Sequence, residues 1–304
     1  MNADFSSILL TTLAKRREET IARCLEAASR TSQRLVFSHS TALLLLGAEL
    51  PDRIARDARE ELHVCVSRQE QRQPLLTVAP HVWSGVADVQ IPYNGLMCVG
   101  PCVAWAQISP QLTLEELVVL GDALMRRNPK LRLAAASDFD NMLVGPGKFP
   151  SKRKCKLAMR LMRESTDSSR ETLTRLLIMR YGLPCPQVNY GIPAGSGGML
   201  HFDMAYPNLK IAIEYQGSQH DTDVHQARLD RGRRDFLRTR GWVWLEPDNR
   251  IFIDQSQCEE FIENLAMLLS DRLKVVLTPS PLMTLYQTAD ARRSHNRRNA
   301  QLPV

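Results

Sequence analysis

The sequence predicts an α/β protein in which a mixed sheet occupies the second half and a smaller α+β domain precedes it. From Ser168 onward the residue periodicities follow the order helix, three strands, helix, strand, helix. A Pro-Asn pair between the second and third strands predicts an antiparallel hairpin. The fourth strand arrives after a helix, which allows it to pair in parallel.

Composition limits the classes to which the chain can belong. It has 304 residues, 44% of them hydrophobic, which suits two domains, and its net charge of +6 favours a polyanionic partner only weakly. Cys98 and Cys102 are the one close cysteine pair, and no second half-site completes a zinc site. The N-terminus lacks the pattern of a signal peptide, and no apolar run is long enough to span a membrane. We therefore expect a cytoplasmic protein with reduced thiols and no membrane contact.

The first half of the chain predicts short elements of both kinds. Residues 7–30 have the apolar spacing of a helix, and Ser38 or Ser40 would cap a short helix that ends near Gly47. An amphipathic helix is predicted for residues 112–127. Short strands are predicted at LHVCVSR, LLTVA, ADVQI and LMCVG.

A cluster of glycine and proline near residue 145 predicts a domain boundary there. The predicted parts are an N-terminal domain at 1–145, a basic linker or helix at 146–164, a second domain at 165–275 and a basic, disordered tail at 276–304. The basic stretch carries six positive charges in twelve residues, beginning with Lys152, Arg153 and Lys154. It is compatible with a solvated helix face and with a phosphate-contacting surface.

The predicted hairpin carries a carboxylate on each strand. Asp203 lies in MLHFDMAY, while Glu214 and Gln216 share one face of LKIAIEYQ. Burial of a carboxylate is costly unless it is paired or binds a metal. Two carboxylates and an amide oxygen are ligands of the kind that Mg²⁺ takes, and a metal held there could promote attack of water on a phosphate. A register slip of one residue would send Glu214 to the opposite face.

A third carboxylate, Glu171, lies in the helix predicted from Ser168. It can support the two strand carboxylates from this helix. Ser168 and Glu171 also match the capping-box pattern, in which a serine is followed three residues later by a glutamate. Helix capping is therefore the structural alternative for Glu171.

In this order, Glu171, Asp203 and the segment Glu214-Tyr215-Gln216 resemble the E…D…E-x-K pattern of the PD-(D/E)XK nuclease superfamily. IEYQGSQH followed by RLDRGRRDFLRTRGW is similar to an uncharacterised bacterial branch related to very-short-patch-repair endonucleases. The resemblance covers roughly residues 165–273. It implies a restriction-endonuclease-like αβββαβ core that cleaves DNA, in repair or defence, with Mg²⁺ or Mn²⁺ on Asp203 and Glu214. It also implies a catalytic or hydrogen-bonding role for His220.

Gln216 departs from the superfamily pattern, which usually has lysine at this position. A glutamine cannot take a proton at neutral pH, so it would position water or donate a hydrogen bond to an oxyanion. This departure leaves a second hypothesis open, in which the domain binds nucleic acid with weak or no catalysis.

A second basic region is the helix predicted from His225 to Arg240. Its charges suit a solvated face with pairing at i,i+4 spacing. The alternative is that an arginine of this helix contacts the scissile phosphate. The candidate DNA-binding residues are Arg228, Arg231 and Arg234 of this helix, together with Lys152, Arg153 and Lys154.

The N-terminal half weakly resembles a region of AbiEi-type antitoxin proteins, and it carries no catalytic motif. The resemblance rests on His39, Thr41, Ala42, Gly47, Pro101, Gly121 and Asp122. His39 is expected to be a capping or core histidine rather than a ligand. The resemblance implies two further function classes, a nucleic-acid-binding regulatory component and a protein-interaction component of a defence or toxin–antitoxin system.

Overall fold

The computed structural model describes residues 3–85, 89–93, 95–145, 147–194, 198–217 and 234–290. The chain divides into two compact units, Met1–Asp167 and Ser168–Val304. Among the described residues, no helix has both the length and the apolar character that crossing a membrane requires.

The first unit is a mixed five-stranded sheet with helices. Its strands are β1 (Val36–Phe37), β2 (Leu62–Val66), β3 (Val78–Val82), β4 (Val89–Tyr93) and β5 (Leu96–Val99), in the order β3-β2-β1-β5-β4. Its helices are α1 (Ala3–Ser29), α2 (His39–Leu45), α3 (Asp52–Asp57), α4 (Pro101–Ile108), α5 (Leu114–Leu124), α6 (Ala136–Val144) and α7 (Lys152–Leu161). The sheet therefore mixes parallel pairs, such as β2 with β3, and antiparallel pairs, such as β4 with β5.

Helix α4 is buried along its whole length. Its Trp105 indole N–H donates to the Leu117 carbonyl at 2.9 Å, and the ring packs edge-on against Phe139 at 5.0 Å. A helix that is apolar on nearly every side has no amphipathic period. This is why its sequence, PCVAWAQI, predicts no helix by periodicity although it forms one at the core.

The basic stretch after residue 145 belongs to the first unit, and of the two predicted alternatives it forms the helix, α7, rather than a linker. Helix α7 packs against α5 and α6, and it buries Cys155, Ala158 and Leu161. Just beyond it, the Arg163 backbone N–H donates to Asp122 Oδ1 at 2.8 Å. The apolar side of α7 thus ties the stretch to the preceding helices, and the boundary lies after Asp167 rather than near residue 145.

The second unit confirms the predicted α/β class with a mixed sheet. Its elements are α8 (Ser169–Arg180), β6 (Gln187–Pro193), β7 (Met199–Tyr206), β8 (Ile211–Ile213), α9 (described over residues 234–239), β9 (Val243–Leu245), α10 (Gln255–Leu273) and α11 (Leu285–Thr288). The strand order is β6-β7-β8-β9. Strands β6, β7 and β8 pair antiparallel, and β8 pairs with β9 in parallel.

Strand β8 is buried on both faces of this sheet. On one face Ile213 belongs to a core cluster with Leu265 of α10. On the other face Ala212 belongs to a cluster with Leu237 of α9, against which Trp244 packs. Because a slip of one residue would exchange these two sets of contacts, packing on both faces fixes the register of the hairpin.

The fold continues beyond the predicted start of the tail at residue 276. The Ser280 N–H donates to the Tyr181 carbonyl at 2.8 Å, and the Met283 N–H donates to the Arg180 carbonyl at 3.0 Å. Leu285 in α11 is buried. Residues up to 290 are therefore part of the second unit, because backbone hydrogen bonds and apolar burial hold them against the end of α8. Residues 291–304 of the predicted tail lie outside the described residues.

Candidate active site

The hairpin of β7 and β8 sets Asp203 opposite Glu214. The ladder pairs Met204 with Ile213, and the same register continued by one step aligns the two carboxylate residues. Residues opposite each other in an antiparallel pair have Cα atoms about 5 Å apart. The Tyr215 N–H donates to Asp203 Oδ2 at 2.8 Å, which orients this carboxylate. The register thus places both carboxylates at the same end of the hairpin.

Asp203 lies where the regular alternation of side chains between the two faces of the sheet is broken in β6 and β7. Its cross-strand neighbour on β6 is Asn189, which has a left-handed φ of +51°. Val188, before this position, packs against the core cluster shared with α10, whereas Tyr190 packs against the cluster shared with α9. Asparagine tolerates this backbone conformation better than most residues, and irregularities of this kind re-aim neighbouring side chains. The direction of Asp203 therefore depends on a local break in strand alternation.

A third carboxylate, Glu246, follows β9 and was missed by the sequence analysis. Ile213 pairs with Leu245 in the parallel ladder, and a bridge three residues further on keeps the same register. Glu214 therefore aligns with Glu246 on the neighbouring strand. Asp203, Glu214 and Glu246 occupy successive strands at steps of about 5 Å, and we call these three residues the carboxylate row.

Glu246 contacts two of the predicted site residues. The Gln216 side-chain amide donates to Glu246 Oε1 at 3.1 Å, and the Arg234 guanidinium forms an ion pair with the same oxygen. The Gln216 backbone is also fixed, because its N–H donates to the Pro247 carbonyl at 2.8 Å. The structure thus brings Gln216 and Arg234 together through a glutamate that no sequence motif had indicated.

Glu171 is buried at the start of α8. Ser168 Oγ accepts a hydrogen bond from the Glu171 N–H at 3.2 Å, as expected for the predicted N-cap. Glu171 is 5% exposed, and Arg175, one turn later, is fully buried. Helical spacing places these opposite charges on the same side of α8, where burial of either one alone would be costly.

Across the residues that the structure describes, no group of three or more histidine, cysteine or acidic side chains is placed to hold a metal ion. Glu171 accordingly does not complete a three-carboxylate metal group with Asp203 and Glu214. The chemistry of the donor set still fits a hard cation, because Mg²⁺ is commonly bound by one or two carboxylates with water and substrate phosphate as its other ligands.

The remaining predicted residues fall into two groups. His220, Arg228 and Arg231 lie outside the described residues. The three predicted α7 cations are described. The Lys152 ammonium donates to the Gly145 and Gly147 carbonyls, the Lys154 ammonium donates to the Leu112 carbonyl at 2.6 Å, and Arg153 is exposed.

The first unit contains a separate cluster of histidines. The His63 Nδ1 lies 3.0 Å from His81 Nε2, and the ring of His39 lies 4.1 Å from that of His81. Burial lowers the pKa of His39 to about 3, with further lowering by the neighbouring imidazoles. Burial also lowers the pKa of His63 and of His81. His39 is thus a buried, neutral imidazole in contact with two partly buried ones, and only the fold brings His63 and His81 to it.

Comparison with known proteins identifies two curated relatives, both from Mycobacterium tuberculosis. They are the uncharacterized proteins MT2308 of strain CDC 1551 / Oshkosh and Rv2248 of strain ATCC 25618 / H37Rv. Each is 30% identical to this chain over 77 residues, which are 25% of this chain and 28% of the relative. No family model and no solved structure matches the chain. The match therefore spans little more than a quarter of each relative, and neither name states an activity.

Proposed function

We propose that the second unit is a metal-dependent endonuclease that hydrolyses DNA phosphodiester bonds. The observation that carries this proposal is the register of β7 and β8, which sets Asp203 opposite Glu214. The Tyr215 N–H fixes the orientation of the Asp203 carboxylate. The order of helices and strands around them agrees with the αβββαβ core that the sequence resemblance implies.

Asp203 and Glu214 are the residues that would hold Mg²⁺ or Mn²⁺, which when bound offsets the negative charge that develops on a phosphate under attack. The amide oxygen of Gln216 can accept a hydrogen bond from water, although the side chain cannot remove a proton at neutral pH. The guanidinium of Arg234 presents several N–H donors in a plane, a geometry that matches phosphate oxygens.

In this proposal the partner is DNA in the cytoplasm, and the setting is repair or defence. The exposed Arg153 and Lys156 on α7 support contact with phosphates by the first unit, since they present positive charge to solvent. The AbiEi-like residues of that unit support a defence or toxin–antitoxin setting with a protein partner.

Cleavage of plasmid and single-stranded DNA, with Mg²⁺, Mn²⁺ or EDTA, tests the proposal. Wild type should nick DNA only with metal, whereas Asp203→Asn and Glu214→Gln should not. Asp271→Asn is the matched control, because Asp271 is an exposed acid of the same unit that pairs with Lys274. Cleavage that survives in both site variants would rule out these carboxylates as the metal-binding pair.

The second candidate function is a regulatory module that binds nucleic acid without cutting it. It is favoured by one observation, which is that Gln216 stands at the usual lysine position and binds Glu246. This function predicts that DNA binding is independent of metal and is equal in wild type, Asp203→Asn and Glu214→Gln. Metal-dependent nicking by the wild type alone would exclude it.

A further inference from the structure

Glu246 joins two groups that lie far apart in the sequence. One oxygen of its carboxylate accepts from the Gln216 amide at 3.1 Å and pairs with the Arg234 guanidinium. Its side chain is 28% exposed and that of Arg234 is 50% exposed, so the contact stands at the surface. An exposed ion pair of this kind contributes little to folding. The contact therefore matters for the geometry of the site rather than for the stability of the fold.

The hydrogen bond to Glu246 determines which end of the Gln216 amide faces the rest of the site. An ionised carboxylate only accepts hydrogen bonds, so the amide nitrogen must point towards Glu246. The amide oxygen then points away from Glu246, and it can accept a hydrogen bond from water. Without Glu246, the two ends of the amide could exchange places.

The same glutamate holds a cation beside the carboxylate row. Asp203, Glu214 and Glu246 concentrate negative charge where β8 and β9 end, whereas a phosphate substrate is itself negative. The guanidinium of Arg234 has five N–H donors, and its ion pair with Glu246 leaves others for a phosphate. Arg234 therefore brings positive charge to the place where the superfamily pattern has lysine and this chain has Gln216.

We infer that Glu246 is a positioning residue of the site, and that it holds the Arg234 guanidinium and the Gln216 amide so that they jointly replace the lysine of the E-x-K pattern. The inference rests on the proposed endonuclease function. Glu246 acts through its two neighbours and does not itself contact the substrate. Arg234 is the phosphate-binding cation, and Gln216 supplies the acceptor for water.

Single substitutions give the first test. Glu246→Ala should lower kcat at least tenfold with KM changed less than threefold, because positioning of reacting groups acts on the chemical step. The midpoint of thermal unfolding should move by no more than about 2 °C, because the pair is exposed. Glu246→Gln should lose less activity than Glu246→Ala, because its amide oxygen still accepts from Gln216 and Arg234. Arg240→Ala is the matched control, since Arg240 is an exposed arginine that stacks on Phe236, and it should cleave like wild type.

A rescue experiment tests the role of the cation directly. Arg234→Ala should lower kcat at least tenfold, and adding Gln216→Lys should restore most of that loss, because a lysine at this position can pair with Glu246 and supply the missing charge. The inference would be overturned if Gln216→Lys failed to restore kcat in the Arg234→Ala background. It would also be overturned if Glu246→Ala kept the wild-type kcat.

Binding measurements separate failure of the inference from failure of the proposed function. If wild type does not cleave DNA, the endonuclease function is refuted. The inference is then tested by measuring the DNA affinity of the variants in the presence of Ca²⁺. Arg234→Ala should weaken binding, Glu246→Ala should weaken it by less than threefold, and the double variant should bind no more weakly than Arg234→Ala alone. Additive losses, or no losses, would show that Glu246 does not act through Arg234.

Discussion

The two units each gather three ionisable side chains, and the two groups differ in the burial of one member, His39 in the first and Glu246 in the second. In the first unit His39, His63 and His81 contact one another ring to ring, and His39 is only 8% exposed. In the second unit Asp203 and Glu214 are partly buried, as His63 and His81 are, whereas Glu246 is exposed.

Burial determines what each cluster can do. The pKa values of the three histidines are lowered chiefly by burial, so the imidazoles stay neutral and serve as packing groups at neutral pH. The carboxylate row is open to ions and substrates at Glu246, which is exposed. The difference between the two groups is therefore that His39 is closed to solvent whereas Glu246 is not.

The largest expected effect separates activity from stability in the second unit. Glu214→Gln should lower cleavage by at least roughly 100-fold, since loss of a metal ligand should exceed the 10- to 100-fold cost of losing its outer partner. Its free energy of unfolding should stay within about 0.5 kcal/mol of wild type, as for most substitutions away from the core. Cleavage rates and urea unfolding measure the two quantities. A matching loss of stability would make the row a structural feature, like the histidine cluster.

The histidine cluster should make folding sensitive to acid. In the folded chain these histidines have a pKa below the ordinary value of 6.5, to about 3 for His39. Below pH 6.5 the unfolded chain therefore binds more protons, and stability falls as the pH falls. Each histidine that stays neutral contributes a slope of up to about 1.4 kcal/mol per pH unit.

Urea unfolding between pH 7 and pH 5 measures this slope at pH values above the ordinary pKa range of carboxylates. His81→Gln removes one group of lowered pKa, so it should flatten the slope relative to wild type. Equal slopes in wild type and His81→Gln would show that His81 takes up its proton without unfolding.

A smaller effect tests whether the first unit contributes charge to DNA binding. Arg153→Gln combined with Lys156→Gln should reduce the slope of log affinity against log salt by about 2, one for each lost phosphate contact. The pair Arg59→Gln and Lys130→Gln removes two exposed charges elsewhere in the same unit. Fluorescence anisotropy over a salt series gives both slopes. If the α7 double variant has the same slope as wild type, Arg153 and Lys156 belong to a solvated helix face that does not contact DNA.

The smallest expected effect compares the helix caps of the two units. Thr113 and Glu116 form both bonds of a capping box at the start of α5. Ser168 caps α8 through the Glu171 N–H. Thr113→Ala and Ser168→Ala should each cost about 1 kcal/mol in the free energy of unfolding, measured by denaturant titration. A much larger cost for Ser168→Ala would indicate that this cap also maintains the buried arrangement of Glu171.

Much of the second unit could be predicted because its signals are local. The predicted strand MLHFDMAY matches β7 residue for residue. The predicted cap Ser168 starts α8, and the Pro-Asn turn joins β7 to β8. Each of these depends on side chains a few residues apart, so a single sequence contains the necessary information.

The fully buried α4 and the acid Glu246 could not be predicted in this way. Helix α4 has no polar face and hence no period. Glu246 enters the site because β9 pairs in parallel with β8, and about thirty residues separate the aligned positions on these strands. Alternation predicts which residues share a face but not which residue lies beside them on a distant strand.

The sequence by itself determined the α/β class, the hairpin and the presence of acids on both its strands. Tertiary structure alone decided that Asp203 lies opposite Glu214, that Glu246 extends the row, and that two other histidines pack against buried His39. The physical reason is the range of the interactions. Turns, caps and periodicity act between near neighbours, whereas register and burial are set by packing on both faces of a sheet between segments that are distant in the chain.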